Sequence, residues 1–300
     1  MRKLLSALAI CLAAGCSKQG GDPVVASPAP TPAPPPKLLV LATIAPMYCL
    51  TKNIAGDLAD VEMIVPPGVS PRGFQPSADE VQRIMQADVI VENGYGFEDW
   101  MDRLAERGLK PGAERVIAER GTGPAIPGLP GNPNAPPGDA PADPSKPADP
   151  HVWLDPLMAI VEMQNILDAL MKKDPAHAID YFTNESRYET TLRDLDDEVG
   201  RSTVDLTRRR ILCVTDTFTY FLSRYEFTVA GEVDTPAQAP AAAKDADAVL
   251  VPKGTDAAIL NGSGLRVVIA DPMESGPAST DFYEQVTRAN TQALREGLWQ

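Results

Sequence analysis

Residues 174–203 read DPAHAIDYFTNESRYETTLRDLDDEVGRST. Asp174 before Pro175 is a helix start: an acceptor at the N-cap, then a proline whose missing N–H costs nothing at the first helical position. Tyr188, Leu192, Leu195 and Val199 recur at spacings of four, three and four, which lays an apolar seam along one side of a helix. The pattern predicts a helix over 175–203, roughly 40 Å long at 1.5 Å per residue. A helix of that length between two α/β patterns reads as a strut joining two lobes.

The pattern before the strut alternates strand and helix. KLLVLAT (37–43) is a continuous apolar run, as in a strand buried on both faces. A helix follows over 46–55, then a strand at DVEMIV (60–65). Ser77 and Glu80 form a capping box opening a helix with Val81, Ile84 and Met85 on one face. DVIVEN (88–93), an amphipathic FEDWMDRLAERG (97–108) and RVIA (115–118) complete this N-terminal lobe, 37–120. The pattern resumes over 209–300 with RILCVT (210–215), a helix over 218–225, EFTVAGE, DAVLVP (247–252), LRVVIAD (265–271) and a last helix over 280–294. Connecting helices fill 151–208, the first opened by Asp155 before Pro156. Strands alternating with helices predict parallel sheets, so the fold class is α/β: two lobes joined by a long helix, with a ligand cleft between them.

The chain has 300 residues, a formal net charge of −14 and 30 prolines. The acidic balance argues against nucleic-acid binding, which needs clustered Lys and Arg. Seven prolines lie within 23–36 and ten within 124–150, so 17 of the 30 occupy two short stretches. MRKLLSALAICLAAGC (1–16) has a basic start and an apolar run too short to span a bilayer, which reads as a signal peptide. Its LAAGC end resembles a bacterial lipoprotein signal, which implies lipidation of Cys16 and cleavage before it. Residues 17–36 then read as a proline-rich tether and 121–150 as a long surface loop. With Cys11 in the signal and Cys16 lipidated, only Cys49 and Cys213 remain; both adjoin apolar residues, which favours two buried thiols over a bridge.

No G-x-S-x-G, P-loop, G-x-G-x-x-G, H-E-x-x-H or C-x-x-C occurs, and no nucleophile–base set is visible, so the chain does not read as an enzyme. It has two histidines. His177 falls in the first turn of the long helix and is expected to face solvent. His151, in ADPHVWLDP, is flanked by Asp149, Trp153 and Asp155 and is the candidate functional histidine.

Four segments, in order, resemble the zinc- and manganese-type solute-binding lipoproteins of bacterial ABC transporters. They are GVSPRGFQPSADEV (68–81), DPHVWLDP (149–156) with the long-helix text after it, TDTFTYFLSRY (215–225) and IADPMESGP (269–277). The C-terminal FYEQVTRANTQALREGL also fits, and the resemblance covers most of 37–300. It implies two α/β lobes on a backbone helix and a metal in the interlobe cleft, held by three histidines and a carboxylate or by two of each. Such donors suit zinc or manganese. It also implies delivery to an ABC permease, anchoring to the membrane through Cys16, a periplasmic or extracytoplasmic place in the cell envelope, and a monomer.

Residue by residue, His151 matches a family histidine ligand and Asp271 the carboxylate ligand. Where the family typically has G-x-x-P-H-x-[FY]-x-P, the histidine position is Arg72; where it has H-[DN]-A-F-x-Y-F, that position is Thr215. An arginine keeps its charge and offers a metal no lone pair. The 121–150 loop, often rich in histidine in zinc-type members, has none, and the stretch from 231 to 271 is shorter than usual for the family. Two readings follow. In one, the chain is a metal receptor with an unusual site of His151 and Asp271, completed by Asp216 or water. In the other it is a metal-free interaction lipoprotein or small-anion binder, its cleft held by an Arg72–Asp271 pair, or Arg72 and His151 grip an anion.

Overall fold

The computed structural model describes residues 36–122 and 149–299. The expected signal peptide over 1–16 with its Cys16, all but the last residue of the expected 17–36 tether, and most of the expected 121–150 loop lie outside the described residues. The chain divides into Met1–Pro36 and Lys37–Gln300, and the fold below is that of the second unit.

The first sheet contains β1 (Leu38–Ala42), β2 (Ala59–Met63), β3 (Val89–Glu92) and β4 (Glu114–Ile117), all parallel in the order β2-β1-β3-β4. Its helices are α1 (Ala45–Ala55), α2 (Ala78–Ile84) and α3 (Asp99–Ala105). Val40, Leu41 and all of Val89–Val91 are buried, as an apolar run in the centre of a covered parallel sheet requires. The Ser77–Glu80 capping box opens α2: Ser77 Oγ accepts from Glu80 N, and Glu80 Oε2 from Ser77 N. The third helix is shorter than FEDWMDRLAERG suggested, because Phe97 N turns back to Gly94 O before the helix starts.

Two helices come next. α4 (Pro156–Lys173) is N-capped by Asp155, whose Oδ1 accepts from Leu157 N at 2.9 Å. α5 (Ala178–Thr203) is the long strut. Its first turn differs from the expectation: Pro175–His177 form a 3-10 turn, and Asp174 makes no side-chain cap. The Asp174 carboxylate instead accepts from His177 Nδ1 at 2.6 Å and Tyr181 Oη at 3.0 Å.

The second sheet contains β5 (Arg210–Val214), β6 (Thr228–Val233), β7 (Ala248–Pro252) and β8 (Val267–Ala270), parallel in the order β6-β5-β7-β8. α6 (Thr219–Arg224), the one-turn α7 (Ala239–Ala242) and α8 (Phe282–Leu298) accompany it. The two sheets share one winding: the first strand of each lies second in the sheet, and the order reverses beside it. In such sheets the crevice opens past the carboxyl ends of the strands at that reversal. Those ends carry Thr43 and Asn93 in the first lobe, and Thr215, Lys253 and Asp271 in the second.

α5 packs against α4, against α1 of the first lobe and against α8 of the second. The predicted seam does this: Tyr188, Leu192, Leu195 and Val199 are all buried. Each such aliphatic side chain contributes about 1.5–3 kcal/mol by leaving water. Tyr188 also donates to Glu284 Oε2 of α8 at 2.9 Å, while Cys49 Sγ of α1 lies 3.4 Å from its hydroxyl. Cys49 and Cys213 are free and buried, and burial pushes their thiols up to about 11 and about 12. Among the described residues, no helix is long and apolar enough to cross a membrane.

Candidate functional site

The base of the site is set by a buried acid of the first lobe. Glu98 accepts from Thr43 Oγ1 at 2.7 Å, Asn93 N at 2.9 Å and Gly94 N at 3.2 Å, tying the ends of β1 and β3 together. Burial lifts its carboxyl to about 7. Gly94 turns here at φ 114°, and a Cβ on it would meet the Glu119 carboxyl at 2.5 Å, so only glycine fits. Asn93 Nδ2 donates to Pro150 O at 3.0 Å, which fixes the chain one residue before His151.

His151 is fully buried, its ring edge-on to Phe97 and Trp153. Both ring nitrogens are engaged: Nδ1 with Asp149 Oδ1 at 2.6 Å, Nε2 with Glu274 Oε1 at 2.9 Å. An ionised carboxylate only accepts, so a ring nitrogen that bonds to one must carry the proton. Burial alone would depress His151, but the bonds to Asp149 and Glu274 outweigh it and raise its pKa. Burial also raises Glu274, yet the His151 bond and the His151 and Arg72 charges win and hold it below the usual carboxylate range. In Asp149 burial prevails over the His151 bond, and its carboxyl is raised.

Arg72 closes the group from the first lobe. Its guanidinium carbon sits 4.7 Å from the centre of the Phe97 ring, Nη2 lies 3.4 Å from His151 Nε2, and Nε lies 3.5 Å from Glu274 Oε1. A second interlobe bond runs alongside, from Gly68 N to Ser275 Oγ at 2.7 Å. The lobes are also pinned beneath the site: Trp153 Nε1 donates to Pro272 O at 3.0 Å and Tyr283 Oη to Trp153 O at 2.5 Å.

The structure thus brings Arg72 and His151 together but corrects the expected Arg72–Asp271 pair. Arg72 meets Glu274, three residues further on. Asp271 is held elsewhere: Oδ2 pairs with Lys253 Nζ at 2.8 Å, Oδ1 accepts from Met273 N at 2.9 Å, and Asn290 bonds both to its N–H and to its carbonyl. Met273, at φ 60°, turns the chain so that Glu274, not Asp271, arrives at His151. Thr215 has its Oγ1 2.8 Å from Thr217 Oγ1. Its φ of 68° is a costly conformation for a β-branched residue, about 1–3 kcal/mol, of the kind that gathers at functional sites. Asp216 is exposed, and its charge helps raise Asp149 and Tyr220. Among the described residues, no group of three or more His, Cys, Asp or Glu side chains is placed to hold a metal ion. Glu274 and Lys253 escaped the sequence reading; the available signal for Glu274 was a second carboxylate in ADPMES, three residues past Asp271.

Residues 40–297 match the family model ZnuA, described as zinc-uptake complex component A, periplasmic. The chain is 30% identical over 213 residues to the high-affinity zinc uptake system protein ZnuA of Bacillus subtilis (strain 168), covering 69% of this chain and 65% of that protein, just under two thirds of its length. It is 31% identical over 235 residues to the metal ABC transporter substrate-binding lipoprotein SsaB of Streptococcus sanguinis, covering 75% of this chain and 70% of the relative. The solved solute-binding protein FpvC of Pseudomonas aeruginosa in complex with Mn2+ superposes with a TM-score of 0.71 at 23% identity, over 87% of this chain and 98% of that one, a likeness of fold alone. The match to the family model runs through both lobes and the strut between them, and the chain belongs to the ZnuA family, zinc-uptake complex component A, periplasmic.

Proposed function

We propose that this chain is the extracytoplasmic solute-binding lipoprotein of an ABC importer of the zinc and manganese type. It takes up cargo between its lobes and hands it to a permease; it is a receptor and not an enzyme. The observation that carries this reading is the meeting of Arg72 of the first lobe, His151 at the entry to α4 and Glu274 of the second lobe at one interlobe point. A divalent metal would be cargo for such a receptor and not a resident cofactor. The chain's own donors for it are His151 Nε2 and Glu274, and Asp149 on Nδ1 supplies the carboxylate that orients a metal-binding imidazole. Arg72 stands against a bare cation there, and the Asp271 carboxylate is paired with Lys253. Lipidation of Cys16 would anchor the protein, as a monomer, in the cell envelope beside its permease.

The metal-free, small-anion reading has one observation in its favour, the Arg72 guanidinium beside His151 and Glu274. Uptake separates the two. Cells lacking this chain should import less radioactive zinc or manganese, with import restored by the wild-type chain and not by His151→Ala. Unchanged import of both metals would overturn the receptor reading.

A further inference from the structure

Arg72 is oriented for a partner that the described residues do not fully provide. Stacking on Phe97 fixes the plane of its guanidinium, and half of the side chain is exposed, 52%. Its one carboxylate contact is long and single, Nε to Glu274 Oε1 at 3.5 Å. A guanidinium presents a rigid fork that fits both oxygens of a carboxylate at once. Here one oxygen is shared between Arg72 Nε and His151 Nε2, Nη2 has only its 3.4 Å approach to His151 Nε2, and no second carboxylate oxygen among the described residues meets the fork.

The carboxylate that fills this place is carried on an irregular segment. Glu274 lies between β8 and α8, one residue past the left-handed Met273 and two before Gly276, whose hydrogen leaves room for the Phe282 ring. The segment meets the first lobe through Glu274 on Arg72 and Ser275 on Gly68 and, further along, through Thr280 O, which accepts from Asn53 Nδ2 at 2.8 Å and from Cys49 Sγ at 3.2 Å. Arg72 brings a guanidinium to this point from the first lobe, and Glu274 is the carboxylate that meets it. Withdrawing Glu274 leaves the Arg72 guanidinium without its carboxylate, and that charge draws a carboxylate and repels a bare cation.

We propose that Glu274 is a tethered stand-in for a carboxylate of the cargo. When cargo binds, its carboxylate takes the place of Glu274 beside His151 Nε2 and engages the Arg72 fork through two oxygens. The cargo class is a carboxylate-bearing solute, whether a free organic acid or the carboxylate shell of a metal chelate. This inference rests on the receptor reading and names the chemistry of its cargo.

Calorimetric titration of the full mature chain in detergent with citrate, zinc citrate and zinc chloride tests it. A slot self-occupied about nine-tenths of the time weakens a competing ligand about tenfold. Glu274→Ala should therefore bind citrate or zinc citrate about tenfold more tightly than wild type, and adding Arg72→Gln should cancel the gain. Glu274→Gln, which keeps the shape of the side chain, should fall between and guards against a folding defect. A gain confined to zinc citrate identifies a chelate, and an equal gain with citrate alone identifies a free acid. No gain with either, or a gain that survives Arg72→Gln, overturns the proposal. Zinc chloride binding to wild type and lost in His151→Ala, with no citrate gain in Glu274→Ala, would overturn the proposal while leaving the receptor reading standing.

Discussion

Replacing Arg72 and Thr215 by histidine should turn this cleft into a bare-metal site. A cation bonded to His151 Nε2 would sit about 2 Å from that nitrogen. Arg72 Nη2 is 3.4 Å from the same atom, so the guanidinium and the ion would be near neighbours. Unit charges about 4 Å apart interact by about 4 kcal/mol at the effective dielectric of a protein surface. The charge of a divalent ion doubles this, whereas half-exposure of Arg72 and salt screening cut it to about 2–3 kcal/mol. Arg72→Gln alone, which removes the charge and adds no donor, should then strengthen zinc binding about 50-fold. Each imidazole donor adds about 3 kcal/mol, a quarter of what a four-ligand zinc site gains. The double variant should exceed Arg72→Gln by a further factor of at least about 100. Chelator-competition titration with zinc measures all three proteins and should give one ion per double-variant chain. If the double variant binds zinc no better than wild type, Arg72 and Thr215 do not face His151 across one cleft, and the reasoning fails.

Three further outcomes follow from buried charges. His151 is raised and Glu274 lowered, so their bond stabilises the fold from above the ordinary glutamate value up to the ordinary histidine value. That stability is lost as pH falls through the lowered Glu274 value or rises through the raised His151 value; a melting-temperature profile against pH should show this window, and Glu274→Gln should flatten it. Glu162 is fully buried with both oxygens unpartnered, and burial, then the Glu119 and Glu98 charges, push its pKa well up. A raised carboxyl favours the folded state at low pH and opposes it above the ordinary value. Glu162→Leu should stabilise the protein by about 1–3 kcal/mol at pH 7 and by less at pH 4.5, read by chemical denaturation. Arg224 clasps Asp196 of α5 through Nε at 2.8 Å and through Nη2, and lies 3.9 Å from Asp155, the N-cap of α4. Arg224→Ala strands both carboxylates in a largely buried place and should cost about 3–5 kcal/mol in the same assay.

Local signals carried most of the fold. The capping box at Ser77, the Asp155–Pro156 start and the α5 seam each need only a few neighbouring residues, and each appears where its pattern lies. The Asp174 reading failed because two alternative donors, His177 and Tyr181, come round on the next turns and take the carboxylate from the backbone. In the site, His151 was legible from its setting, but the partner of Arg72 was not. Parallel pairing of Pro252 with Ala270 sets Lys253 beside Asp271, 18 residues apart in sequence, and so occupies the aspartate that motif spacing offered to Arg72. Glu274 then depends on a single left-handed residue, Met273, which has no composition or periodicity signal.

The nitrogen resonances of the His151 imidazole, followed by NMR as zinc chloride is added to wild-type protein at neutral pH, test the central claim most directly. With Glu274 and Arg72 holding the place, neither nitrogen resonance should move at one equivalent of zinc. Stoichiometric conversion of Nε2 to a metal-bound resonance by zinc alone would contradict the claim that Arg72 and Glu274 keep a bare ion out of this cleft.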